Sequence, residues 1–290
     1  MPRPAGIFDN TQMGEACLAP TDMNKLKNTF DNLRDRHERA FIPFVTCGDP
    51  DMRVTKDLLL AYVEAGADIV EIGIPFTDPL ADGPTIQRAS ERALASGATM
   101  EGALEMIADV RKKTDVPLVP MTYVNPVYQI GYEKFANLCH KAGADAVIIS
   151  DLPPEEGAEW SAAAAKHNVG TVYLLAPTSN DNRVETVAKA TTGFIYAVAR
   201  MGVTGAKSDV PPEIGDLITR IGQHSDTPVC AGFGFSSPKQ IRETCKSTSV
   251  DGIVVASALI DCFEKTSGSA SERIAAAAKL AGELKAATRP

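Results

Sequence analysis

The chain has no block of clustered lysines and arginines, and its formal net charge is -8. Nucleic acid and anionic membrane surfaces both require concentrated positive charge, so neither is an expected partner. There is no CxxC pair: the six cysteines (Cys17, Cys47, Cys139, Cys230, Cys245, Cys262) are scattered, and the four histidines (His37, His140, His167, His224) are not at metal-ligand spacing. That pattern argues against a disulfide framework and against a structural zinc. No apolar run is long enough to cross a bilayer. The opening MPRPAGIFDNTQMGEACLAP lacks the continuous apolar centre of a secretory signal, and one arginine against two acids is a poor mitochondrial transit peptide. The expectation is a cytoplasmic protein that acts on small molecules or other proteins, with residues 1–23 a flexible extension.

What is present is a core-forming α/β pattern. With 290 residues, 44% hydrophobic and 23% charged, the chain can build one large domain. Eight short apolar runs recur: AFIPFVT (40–46), DIVEIG (68–73), VPLVPMTY (116–123), DAVIIS (145–150), TVYLLA (171–176), GFIYAVA (193–199), PVCAGF (228–233) and GIVVAS (252–257). Segments of helical spacing lie between them, as in MRVTKDLLLAYVEAG, where Val54, Leu58, Ala61, Tyr62 and Ala65 share a face. EAGADIVEIG (64–73), KAGADAVIIS (141–150) and TSVDGIVVAS (248–257) form a weak repeat of helix end, turn and strand, with Gly66 and Gly143 suited to a left-handed helix terminus. Eight βα units without a compositional break favour a closed (β/α)₈ TIM barrel over a doubly wound sheet, whose GxGxxG first turn is absent. The barrel domain is expected over 24–266. A helix over 24–36 would plug its N-terminal end, and 267–290 would form a helical extension packed on or near it.

In a barrel strand, side chains alternate between the interior and the helix layer. If Val70 and Ile72 face the helices, Glu71 faces inward near the C-terminal end of the second strand, where barrel enzymes keep their active sites. The bland alternative is a strand-end glutamate reaching water or a lysine. Asp82 precedes a helix and could simply cap it, and Asp78 could be a turn residue. The residues themselves leave catalysis and structure equally open here.

Turns of small residues follow the last three strands: RMGVTGAKS (200–208) and AGFGFSSP (231–238), which bear glycine, and VASAL (255–259). Backbone N–H groups and helix N-termini at those places commonly hold phosphate, which makes Gly205, Gly234, Ser236 and Ser257 candidate donors. No strand-end lysine offers a Schiff base and no His/Asp/Glu cluster offers a metal, so carboxylate acid–base chemistry is left.

The ordered motifs FVTCGDPD (44–51), EIGIPFTDPLADGPTIQ (71–87), TYVNPV (122–127), ISDLPPEE (149–156), ARMGVTG (199–205) and GFGFSSP (232–238) resemble the tryptophan synthase alpha subunit family over about residues 24–266. The resemblance implies retro-aldol cleavage of indole-3-glycerol phosphate to indole and glyceraldehyde 3-phosphate. It makes Glu71 the acid–base residue, Asp82 the partner of the indole N–H, and Tyr196 a neighbour of the glutamate. Phe44, Met121 and Tyr123 would line the indole pocket. Gly205, Gly234, Ser236, Ala256 and Ser257 would contribute to the phosphate site, and Arg200 and Thr204 to a lid whose threonine meets Asp82. Asp78 and Pro79 would face a beta subunit in an αββα assembly. No cofactor is implied for this chain, pyridoxal phosphate being expected only in the beta partner. Two positions depart from the family pattern. Ala256 stands where glycine is usual, and would be strained if that residue needs a positive φ; Met201 replaces a smaller lid residue. A stand-alone lyase releasing free indole, or a non-catalytic subunit that binds a phosphate ligand, remain alternatives.

Overall fold

A computed structural model describes residues 24–198, 212–232 and 234–290. Strands and helices alternate along it. Helix α1 (Asn24–Asp35) precedes β1 (Ala40–Thr46), which leads through α2 (Met52–Glu64) to β2 (Val70–Gly73). Helices α3 (Pro84–Ala95) and α4 (Met100–Arg111) follow, then β3 (Leu118–Thr122), α5 (Val124–Ile130), α6 (Tyr132–Ala142), β4 (Ala146–Ile149) and α7 (Ala158–Lys166). The second half runs β5 (Gly170–Val172), β6 (Leu174–Leu175), α8 (Asp181–Ala190), β7 (Ile195–Val198), α9 (Pro212–Gly222), β8 (Val229–Gly232), α10 (Pro238–Ser247) and β9 (Gly252–Val255). It ends with α11 (Ser257–Lys265) and α12 (Ala270–Ala286).

All pairings are parallel, in the order β5-β4-β3-β2-β1-β9-β8-β7-β6. The two ends of that series, β5 and β6, are separated by Tyr173 alone. They are halves of one strand, so eight strands close into the expected barrel; the run 171–176, read as one strand, is interrupted where Tyr173 turns its ring to the helix layer and meets Ser161 Oγ at 2.9 Å.

Two cores result from the alternation. Val70 and Ile72 join the cluster between strands and helices, while Ile42, Ile69, Val119, Ile148, Val172, Phe194 and Val254 fill the barrel. Leu26, Phe30 and Leu33 of α1 belong to the inner cluster, and the Phe30 ring meets Phe194 edge-on at 6.2 Å. Helix α1 therefore plugs one end of the barrel, as the sequence predicts. Gly143 ends α6 in the left-handed conformation, at φ 83° and ψ 26°.

The sequence repeat has a physical counterpart at that same end. Asp68, Asp145 and Asp251 each donate their backbone N–H to the carbonyl of the residue opposite on the neighbouring strand (Phe41, Leu118 and Val229, 2.8–3.0 Å). Each then accepts that residue's N–H on its side chain, at 2.8, 2.8 and 2.9 Å. Each also holds a cation: Lys285 of α12, Arg111 of α4 and Arg34 of α1. These three pairs pin helices to the floor of the barrel and leave its opposite end for chemistry.

Candidate active site

Strand β2 sets the candidate acid–base carboxyl. Its register places Glu71 beside Phe44 on β1 and Val119 on β3. Phe44 and Val119 are both inward-facing, so Glu71 points into the barrel near its C-terminal end; it is 1% exposed. Burial, with the nearby Asp82 charge second, pushes the Glu71 carboxyl up to about 8. Its Oε2 is buried without a hydrogen-bond partner among the described residues. A buried, unsatisfied carboxyl oxygen is costly unless a ligand group meets it.

Asp82 lies at the end of a turn, Pro79–Asp82, closed by its N–H on the Pro79 carbonyl at 3.1 Å. The capping interpretation fails: α3 has Gly83 as its N-cap and no side-chain cap bond. Burial pushes Asp82 up to about 6, against a hydrogen bond from Tyr123 that lowers it. Tyr196, on β7, also feels both carboxylates, and burial together with Glu71 holds its phenol far above the ordinary range. The two acids and Tyr196 thus share one electrostatic site.

Two glycines make room for its aromatic walls. A Cβ on Gly73 would collide with the Phe44 ring, and one on Gly232 would come 2.6 Å from the Tyr196 ring and hydroxyl. Beside Asp82 is a narrow slot lined by Phe44, Gly73, Ile74, Ile86, Ser90, Met121 and Tyr123. The expected walls Phe44, Met121 and Tyr123 are all present. Ile86 and Ser90 are additions; they stand four residues apart on α3 directly after Asp82, and that spacing was the available signal. Ile74, one residue past β2, carried no such signal. A wider groove on the outer layer, between α6 and α7, lacks these acids, and its Glu133 is already paired with Lys166 and His167.

The anion-binding candidates form a second group. Gly234 has φ 83°, a conformation that glycine adopts without cost. Ser236 gives both its N–H and its hydroxyl to Gln240 Oε1, at 3.0 and 3.2 Å. Ser257 is the first residue of α11, whose N-terminus has no side-chain cap, so its dipole and first-turn N–H groups suit an anion. Ala256 has φ −113° and ψ −75°: it needs no positive φ, and the strain expected of an alanine there does not arise. Its methyl instead packs in the apolar cluster with Phe44, Met121 and Ile260. Arg200, Met201, Thr204 and Gly205 lie outside the described residues. Asp78 is exposed, its carboxylate accepting from the Thr77 hydroxyl at 2.6 Å, and Pro79 beside it is half-buried.

Residues 30–289 match the family model described as Tryptophan synthase alpha chain. The chain belongs to that family. The match takes in α12 as well as the barrel. Among curated relatives, the tryptophan synthase alpha chain of Citrifermentans bemidjiense is 44% identical over 246 residues, 85% of this chain and 91% of the relative. That of Geobacillus kaustophilus is 44% identical over 257 residues, covering 86% and 94%. Among solved structures, tryptophan synthase subunit alpha from Legionella pneumophila has a TM-score of 0.83 at 33% identity, covering 92% of this chain and 99% of that one. Mycobacterium tuberculosis tryptophan synthase gives 0.83 at 34% identity, covering 91% and 98%. With this membership the protein is a carbon–carbon lyase that cleaves indole-3-glycerol phosphate.

Proposed function

We propose that Glu71 and Asp82 divide the chemistry of this cleavage between them. Neutral Glu71 donates its proton to indole C3, and the positive charge that develops reaches the ring nitrogen, where the Asp82 carboxylate accepts the N–H and stabilises it. Glu71, now ionised, takes the proton of the hydroxyl on the carbon next to the breaking bond. That C–C bond breaks, its electrons return to the ring, and indole and glyceraldehyde 3-phosphate result. Glu71 has regained its proton, so the cycle balances. The observation that carries this reading is the buried Glu71 carboxyl, pushed up to about 8 beside an Asp82 at about 6. Between those values one acid is protonated while the other is charged.

Tyr196 flanks the glutamate, Phe44, Met121 and Tyr123 sandwich the ring, and Gly234, Ser236 and Ser257, with Gly205, receive the phosphate. Arg200 and Thr204 belong to the covering loop, and closure over Asp82 would exclude water. The chain itself needs no cofactor. Its product passes to a beta subunit carrying pyridoxal phosphate, docked at the barrel mouth around Asp78 and Pro79, within a cytoplasmic αββα complex. Two large apolar side chains support docking there: Leu80 is 94% exposed in the turn before Asp82, and Tyr128 of α5, on the same end, is 71% exposed. No helix among the described residues is long and apolar enough to cross a membrane.

The test is indole release from indole-3-glycerol phosphate by the purified chain, with and without a cognate beta subunit and in the absence of serine. Slow release that rises strongly on addition is the expected result. Fast release indifferent to the partner would identify a stand-alone lyase, and no release in either case would overturn the catalytic reading.

A further inference from the structure

The turn that carries Asp82 is gripped from two sides. On one side, Gln87, in the first turns of α3, donates its side-chain amide to the Asp82 carbonyl at 3.0 Å and to the Pro79 carbonyl at 3.4 Å. On the other, the Tyr123 hydroxyl accepts the Ala81 N–H at 3.1 Å and lines the same slot as the Asp82 side chain. Tyr123 is itself fixed. It is 4% exposed, its ring lies 5.3 Å from that of Phe76 at a 32° tilt, and it is the N-cap of α5. The N–H of the next residue, Val124, is held by Asp151 Oδ1 at 2.7 Å. Three of the four residues in the turn Pro79–Asp82 are therefore bonded to a side chain from outside it, and the fourth, Leu80, is 94% exposed.

We infer that Tyr123 and Gln87 are positioning residues for the Asp82 carboxylate. Tyr123 holds the turn at Ala81 and Gln87 holds it at Pro79 and Asp82, so together they fix the backbone from which the carboxylate projects. The assignment goes beyond a wall of the ring pocket for Tyr123 and gives Gln87 a role of its own, and it rests on the reading of Asp82 as the acceptor of the indole N–H. Its physical logic is orientation. An aspartate on a loose turn moves with that turn, whereas one on a turn bonded at three of its residues projects from a fixed backbone before substrate arrives. The Tyr123 hydroxyl also lowers the Asp82 carboxyl against the upward push of burial.

The experiment is a pair of double-mutant cycles on the full chain, with indole-3-glycerol phosphate as substrate. kcat and KM are measured for Tyr123→Phe, Gln87→Met and Asp82→Asn, for the two doubles with Asp82→Asn, and across pH for the singles. Tyr123→Phe keeps the ring and its contact with Phe76. It is expected to lower kcat/KM about tenfold, the usual scale for one bond to a charged group, and to move the acid limb of the profile upward. Gln87→Met is expected to cost about fivefold without moving that limb, because it touches only the backbone. In the Asp82→Asn background each change should cost less than about twofold.

Equal losses in both backgrounds, with an unmoved acid limb for Tyr123→Phe, would overturn the inference and leave the two residues as wall and scaffold. An Asp82→Asn protein as active as the unmodified chain would instead overturn the role of Asp82, and the positioning role with it. If Tyr123→Phe does not fold, the Gln87 cycle decides: coupling to Asp82 upholds the grip and additivity removes it.

Discussion

A carboxyl at Glu71's depth stays useful because it stays protonated. Its ordinary value is 4.5 and its folded value about 8, and the sign of the consequence follows. Between those two values the unfolded chain loses the proton while the folded chain keeps it, so folding is progressively opposed as pH rises from 4.5 to 8. Glu71→Gln removes that opposition. The variant should abolish indole release, while its stability relative to the unmodified chain rises by on the order of 1–3 kcal/mol at pH 7–8. Denaturant titrations should show the gap closing below pH 4.5. A pH-independent gap would mean that Glu71 ionises normally in the fold. At the same scale, Gly232→Ala drives a methyl to 2.6 Å from the Tyr196 ring. Indole release should fall by about tenfold or more while KM changes little, because the ring displaced lies beside the acid. Steady-state kinetics would show it.

At the scale of elements, the repeated aspartate at the start of β2, β4 and β9 is a joint between strand, neighbouring strand and helix. Asp145 is the most enclosed, 2% exposed, with Arg111 at 2.6 Å. Burial nevertheless outweighs the Arg111 charge and holds Asp145 above its ordinary value, so this joint secures geometry more than stability. Asp145→Asn strands the Arg111 charge, and thermal or denaturant unfolding should register a loss of about 3 kcal/mol. KM for the substrate should not move, since the joint is on the floor. The strands themselves were readable because parallel strands buried on both faces appear as unbroken apolar runs; the break at Tyr173 was not, because Tyr fits either state. Glu71's inward direction was readable from period two alone. The bond from the Ala81 N–H to the Tyr123 hydroxyl was not, since it joins residues 42 apart through the path of a turn, and no periodicity encodes that path.

Across the whole molecule, α12 ties the chain's end back to its beginning. Lys285, 4% exposed, reaches Asp68 at 2.8 Å and Glu38 at 3.2 Å, and the Thr288 carbonyl accepts the Arg39 N–H at 3.0 Å. Lys285→Met leaves Asp68 without its cation, while Glu38 keeps Arg36 and Arg289 at 3.8 and 3.7 Å. The expected cost is about 3 kcal/mol at neutral pH, shrinking at low pH as Asp68, which burial holds above its ordinary value of 3.8, becomes neutral. Unfolding curves at pH 7 and pH 3.5 would separate this charge effect from lost packing, which would persist at both.

The plug formed by Leu26, Phe30 and Leu33 has a consequence for traffic. Among the described residues, a barrel stoppered at one end opens at the other. Substrate enters and both products depart on the side of Asp82, Leu80 and Tyr128, so whatever sits across that doorway chooses the direction in which indole leaves. The α1 helix, remote from the reacting bond, is what makes the choice of doorkeeper matter.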